Sequence, residues 1–140
     1  MGAGPSVSDN KQVLKGDVTM KKTNVDQIAG MELDNHPLFT GPVLIQILLT
    51  DEKAKQLGML MVRFGKGVRN KFHAHTTDQV LFVTSGKGVV ATEQEEVEIL
   101  PGDIIHIPAG EKHWHGATED SEMSHLAIEA AGGELTQLEE

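Results

Sequence analysis

The sequence predicts an all-β barrel built as a single domain, and three observations point there. The chain has 140 residues, enough for one hydrophobic core and short for two. From Val43 onward it breaks into short apolar pieces separated by Gly, Pro and Asp turns, which is how sandwiches and barrels read. Within the longer pieces the apolar side chains fall on alternating faces, the period of a strand.

The expected strands lie at 43–49, 57–64, 79–84, 88–92, 96–100, 103–107, 112–116 and 123–129. Segment 43–49 is short, carries Val43, Ile45 and Ile47, and is fenced by Gly41-Pro42 and Thr50-Asp51, so a strand is favoured over a helix. In 57–64, Leu57, Met59 and Met61 share one face while Leu60, Val62 and Phe64 share the other. A sheet that is apolar on both faces needs cover on both, which gives the chain a physical motive to form a homodimer or homotetramer. Residues 1–20 mix Gly, Ser, Pro, Asp and Lys without a sustained period and read as a flexible N-terminal arm. Residues 21–130 are the expected barrel, and 131–140 a strand exit followed by a polar tail.

Composition removes several function classes. The absence of cysteine excludes disulfides, thiolate metal ligands and a cysteine nucleophile. A formal net charge of −9 repels a phosphate backbone. The densest basic group near the strands, Lys66, Arg69 and Lys71, reads as a solvated loop, so no nucleic-acid partner is expected. The acidic runs Glu93-Gln-Glu-Glu and Glu119-Asp-Ser-Glu lack the ligand alternation and central glycine of a calcium loop. No uncharged apolar run reaches the roughly 18 residues of a membrane span, and the N-terminus lacks the pattern of a signal peptide. No membrane partner and a cytoplasmic location are therefore expected. Neither a nicotinamide cofactor nor ATP is indicated, since no strand-Gly-x-Gly-x-x-Gly-helix unit and no Gly-Lys-Ser/Thr occurs.

The chemistry concentrates in the histidines. His73-Ala-His75 places two imidazoles on one face of an extended segment, about 6–7 Å apart along the backbone, where they can converge on one ion. Gln79 then opens the apolar run Val80-Leu-Phe-Val, where an inward amide needs a partner that a metal can provide. His113 follows a strand, a Pro108-Ala-Gly110 turn and a short return. Three neutral imidazoles and an amide oxygen suit Mn²⁺, Fe²⁺, Co²⁺, Ni²⁺ or Zn²⁺ better than Mg²⁺ or Ca²⁺. A bare His-x-His pair by itself favours ordinary hydrogen-bonded core histidines over ligands. The glycine framework around these residues shifts the balance toward a metal site.

That framework is Gly67-x5-His73-x-His75-x3-Gln79-x6-Gly86, followed by Gly102-x5-Pro108-x-Gly110-x2-His113. The two blocks resemble both motifs of the cupin family. The resemblance implies a jelly-roll β-barrel with one divalent metal per chain on His73, His75, Gln79 and His113. Gln79 stands where cupins usually carry Glu, and Ala117 where the second motif commonly ends in Asn. Loss of that carboxylate makes a bound ion a stronger Lewis acid. Together with Gly110-Glu-Lys-His-Trp-His-Gly-Ala117 and Met123-Ser-His-Leu-Ala-Ile128, the first block is similar to the small bacterial manganese cupins that act as hydroxynitrile lyases. The resemblance implies Mn²⁺ first and Fe²⁺ next, with Zn²⁺, Ni²⁺ and Co²⁺ as further candidates, and a substrate cavity that includes Leu60 and Val62. Two positions depart from those lyases: Glu129 replaces Gln, and Leu60 replaces a smaller cavity residue.

Three further residues are catalytic candidates. His125 falls outside both blocks on a late strand and is the acid/base candidate beside the metal, with a cross-sheet hydrogen bond as its alternative role. His115 shares the face of His113 and reads as a second proton carrier or a support for the ligands. Glu129, an acid on an apolar strand, is expected either to pair with His125 and orient it or to face solvent. The expected function is a metal-dependent lyase acting on a small organic molecule by cyanohydrin cleavage or synthesis. An Fe²⁺ dioxygenase and a non-enzymatic ligand-binding module are the alternatives.

Overall fold

A computed structural model describes residues 20–50 and 54–140, so the arm expected at 1–20 lies, apart from Met20, outside the described residues. A short 3-10 turn at Val25–Gln27, capped by the Asn24 side chain, leads into eleven strands. These are β1 (Met31–Leu33), β2 (Val43–Leu49), β3 (Leu57–Phe64), β4 (His73–His75), β5 (Gln79–Gly86), β6 (Gly88–Ala91), β7 (Glu96–Ile99), β8 (Ile104–Ile107), β9 (Trp114–Ala117), β10 (Met123–Ala130) and β11 (Leu135–Gln137). Each expected strand is present, with ends displaced by no more than two residues.

One layer is a six-stranded antiparallel sheet in the order β1-β2-β3-β10-β5-β8. The other combines β7-β6-β9 with the pair β11-β4, joined by isolated bridges at Arg69↔Gly116 and His73↔His113. Non-consecutive neighbours such as β3-β10 and β10-β5 are the crossovers of a jelly roll.

Register decides which side chains meet inside. Ile45 pairs with Val62, Val62 with His125, and His125 with Val83, so these four form one row across the sheet. A neighbouring row runs Leu60, Ala127, Leu81 and Ile105. A third runs Gly58, Glu129, Gln79 and Ile107. A bulge in β5 between the partners of Ser124 and His125 leaves Thr84 outside the ladder, and its hydroxyl lies 2.7 Å from Ser124 Oγ. One end of the barrel is filled by Val43, Phe64, Val83, Ile99 and Met123, while Leu81, Ile107 and Ala127 pack the floor near the third row.

The apolar outer face of the large sheet is only partly covered. Gln46 turns outward, and its amide donates to the carbonyls of Val25 and Ile28, both at 2.9 Å, so the 25–28 segment shields that side. Phe82 and Ile104 on the β5-β8 side stay exposed.

Three strands have weak or no sequence signal. β1 is three residues long, and β4 is held by pairing at a distance. The segment 131–140, expected to leave as a polar tail, turns back at Gly132 and pairs along β4: Leu135↔His75, Thr136↔Ala74 and Gln137↔His73. Glu139 fastens it by a two-pronged contact with Arg69, at 3.2 and 2.9 Å, and by accepting from the Phe72 amide at 2.8 Å.

Gly86 is the position where the turn requires glycine. Its φ is +78°, and a Cβ there would collide with the Glu122 carbonyl. Gly86→Ala is expected to cost on the order of 3 kcal/mol, combining strain with overpacking against backbone that cannot yield. A urea midpoint equal to that of the wild type would contradict this.

Candidate metal centre

β4 presents His73 and His75 to the barrel interior two residues apart, with ring centroids 5.0 Å from each other. His113 is brought in by its bridge to His73, in which each backbone amide donates to the other's carbonyl at 2.9 and 3.0 Å. The rings of His73 and His113 are 4.3 Å apart, and one ligand atom from each of His73, His75 and His113 lies within 4.8 Å of the others. Gln79 opens β5 in the facing sheet and is 4% exposed.

The ring orientations are set locally. His73 Nδ1 lies 2.7 Å from the Lys71 carbonyl and His113 Nδ1 lies 2.8 Å from the Glu111 carbonyl, so each donates from Nδ1 and keeps Nε2 as a free base. Among the described residues the buried side-chain atoms without a partner are Thr77 Oγ1, His125 Nδ1 and, on the candidate ligands, His75 Nε2, His113 Nε2 and Gln79 Oε1. An unpaired buried acceptor costs about 1–3 kcal/mol, and a cation shared by the clustered imidazoles and by Gln79, which lines the same cavity, would answer these last three. Three nitrogens and one amide oxygen fit a divalent transition metal.

Electrostatics agree. Burial, reinforced by the neighbouring imidazoles, lowers His73 and His75 to about 4, and burial also lowers His113. The three rings are neutral at pH 7, the state a metal requires.

Next to this cluster lies a cavity of about 380 Å³. Leu33, Phe39, Ile45, Leu60, Val62 and Ala127 supply its apolar wall. His73, His75, Gln79, His115, His125 and Glu129 form its polar end. His125 is fully buried, and its Nε2 lies 3.0 Å from His115 Nδ1. Burial lowers His125 to about 4 and, helped by the nearby rings of His125, His73, His113 and His75, holds His115 well below the usual imidazole value. Both are neutral at pH 7.

The structure thus gathers the sequence-derived site residues around one cavity: His73, His75, Gln79, His115, His125 and Glu129 line it with Leu60 and Val62, and His113 joins through its bridge to His73, with a correction for Glu129. It neither pairs with His125 nor faces open solvent: Oε1 accepts from Gln79 Nε2 at 3.4 Å, and Oε2 lies 3.9 Å from His75 Nδ1. Burial raises its carboxyl, and the Gln79 bond pulls the other way.

Two contributors had no clear sequence signal. Asn70 is buried, accepts from the His115 amide at 2.8 Å and fixes that strand end. Leu135 and Gln137, from the returning C-terminal segment, close one side of the cavity, and Gln137 Nε2 donates to the Pro37 carbonyl at 3.2 Å. His106 lies outside the site, exposed and 2.7 Å from Asp78 Oδ2.

The family model described as "Cupin domain" matches residues 60–129, which include all four candidate ligands and His125. The chain belongs to the cupin family. This cupin is 41% identical over 92 residues to the (R)-mandelonitrile lyase of Granulicella tundricola, a match covering 65% of this chain and 70% of that one. It is 34% identical over 87 residues to an acireductone dioxygenase of Exiguobacterium sibiricum, covering 59% of this chain but only 46% of the relative. Among solved structures, a cupin-like protein of Thermotoga maritima superposes with a TM-score of 0.70 at 34% identity, covering 73% of this chain and 80% of that one. A polyketide cyclase of Streptomyces resistomycificus superposes at 0.75 over 86% of each chain, and at 15% identity it speaks for the fold alone. The lyase match marks this protein as a small cupin resembling the hydroxynitrile lyase-like members. No helix among the described residues is long and apolar enough to cross a membrane.

Proposed function

We propose that this cupin is a metal-dependent lyase of the hydroxynitrile lyase type, cleaving a cyanohydrin to a carbonyl compound and cyanide or running the addition in reverse. The observation that carries the reading is the pairing of two functions at one cavity end. Four donors suited to a divalent ion sit beside the His125–His115 pair, which none of the ligand positions uses. The mandelonitrile lyase relative supports the choice of reaction.

His73, His75, Gln79 and His113 would hold the ion, with Mn²⁺ favoured over Fe²⁺. Bound there, it supplies Lewis acidity toward a substrate oxygen. The chain's own residues do the rest. Leu60 and Val62 press the organic body of the substrate against the metal end, in a cavity sized for a small molecule. His125 takes the hydroxyl proton as the carbon–nitrile bond breaks, and cyanide departs with the bonding electron pair. The same proton then passes to cyanide. The hydrogen bond to His115 orients the His125 ring and shares the charge that forms on it. The low proton affinity that burial gives both rings keeps His125 a free base at neutral pH.

The acireductone dioxygenase relatives favour a second reading, an Fe²⁺ centre that consumes dioxygen. A panel of cyanohydrins, 2-oxo acids and catechols, offered to Mn²⁺- and Fe²⁺-loaded protein, separates the two. Cyanide release that is independent of oxygen is expected. Oxygen uptake without cyanide release would give the site to the second reading, and binding without turnover would make it a ligand-binding module.

The exposed Phe82 and Ile104, with the rest of the uncovered outer face, support self-association. The protein is expected to sediment as a dimer or larger at micromolar concentration. A strict monomer would contradict this.

A further inference from the structure

The four candidate ligands are not held alike. His73 and His113 each have their Nδ1 fixed by a backbone carbonyl two residues earlier. Among the described residues no such carbonyl holds His75, and Gln79 carries an amide whose two ends differ in chemistry but hardly in shape. Oxygen can ligate a cation, whereas the amide nitrogen cannot. Something must select the oxygen.

We propose that Glu129 is the positioning residue of the metal centre, holding the far end of Gln79 with one carboxylate oxygen and facing the far end of His75 with the other. The inference rests on the metal-site reading above and not on the lyase chemistry. Its geometry follows from the register, because Glu129 and Gln79 are direct partners across β10 and β5. Gln79 Nε2 is 3.4 Å from Glu129 Oε1, which leaves Gln79 Oε1 as the buried atom without a partner. Glu129 Oε2 is 3.9 Å from His75 Nδ1, and His75 Nε2 is likewise buried without a partner. One carboxylate thus bonds the outward end of Gln79 and faces that of His75, the two candidate ligands that the backbone does not orient. It also answers an electrostatic deficit, because three neutral imidazoles and an amide bring no negative charge to a divalent ion. Glu129 supplies one from behind the ligands, without occupying a coordination position.

The test loads the metal-free protein with Co²⁺ and reads affinity by calorimetry and ligand geometry by the visible absorption of the bound ion. The wild type is expected to bind one Co²⁺ per chain. Glu129→Ala should lose about 10- to 100-fold in affinity, the scale set by removing a group that orients a ligand. Its Co²⁺ absorption should also change, because the Gln79 amide is free to turn. Glu129→Gln keeps an oxygen that can accept from Gln79 Nε2, so it should restore the wild-type absorption while recovering only part of the affinity. That split between spectrum and affinity is something a merely structural role would not produce. Wild-type affinity and absorption in Glu129→Ala would overturn the inference, as would equal weakening in both variants with no change in absorption. Failure of the wild type to bind Co²⁺ would overturn the metal-site reading together with it. Should Glu129→Ala not fold, Glu129→Gln decides alone: altered absorption there overturns the positioning role, and retained absorption with reduced affinity supports it.

Discussion

His125→Ala is expected to keep about one metal ion per chain and to lose roughly 100-fold or more in turnover, the scale of removing a general acid/base. The division follows from placement. His125 sits on β10 in the row Ile45, Val62, His125, Val83, and its Nε2 bonds to His115 rather than lying among the mutually close atoms of His73, His75 and His113. Removing it leaves those atoms and their backbone anchors intact. The cost in folding is that of a cavity plus one lost bond to His115 Nδ1, which keeps the Asn70 amide at 3.4 Å, and a barrel packed by Phe64, Val83 and Met123 nearby can bear it. Turnover at the wild-type rate in metal-loaded His125→Ala would reduce the residue to cavity wall. Loss of the metal would make it a ligand or a ligand support.

The second large effect belongs to His113. His113→Ala, like His73→Ala, is expected to abolish stoichiometric metal binding while leaving a folded barrel. Two imidazoles and a neutral amide oxygen remain, a set with no anionic donor that competes poorly with water for a divalent ion. The fold survives because its core lies elsewhere: the larger cluster, around Val43, Phe64 and Met123, contains no candidate ligand. A metal bound there would supplement folding and not create it. Near one equivalent of metal in both variants would contradict the assignment, and circular dichroism of the metal-free proteins checks the fold.

Acid should weaken the metal-free barrel through the same histidines. His73, His75 and His125 sit at about 4 in the folded state against 6.5 in the unfolded chain, so between those values the unfolded state binds more protons. Stability is then complete above pH 6.5 and is lost progressively as pH falls toward 4. A urea midpoint that stays flat across this window would contradict the burial of these rings.

The parts of this architecture that were legible beforehand share a cause. Strands β2, β3, β5 and β10 alternate within single continuous segments, and His73 and His75 share a face through the two-residue period alone. What was not legible depends on register between distant segments. Glu129 and His125 lie on one face of β10, which made a pairing between them seem natural from the sequence. Four residues along a strand span about 13 Å, however, whereas direct cross-strand partners are about 5 Å apart. Gln79 therefore reaches Glu129 first, a neighbour that only the β5–β10 register reveals. The returning segment 133–139 was hidden for a similar reason. Leu135-Thr-Gln is too short to signal a strand, and it exists because β4 offers an open edge and Arg69 offers Glu139 a partner. Asn70 likewise looks like a turn residue until β9 folds against it.

The account turns on one divalent ion held by four side chains. Its most direct test is a crystal of the wild-type protein reconstituted with Mn²⁺, measured for anomalous scattering at the manganese edge. The expected result is one peak per chain, bounded by Nε2 of His73, His75 and His113 and by Oε1 of Gln79. A peak elsewhere, or none in a crystal grown with the ion present, would contradict the central claim.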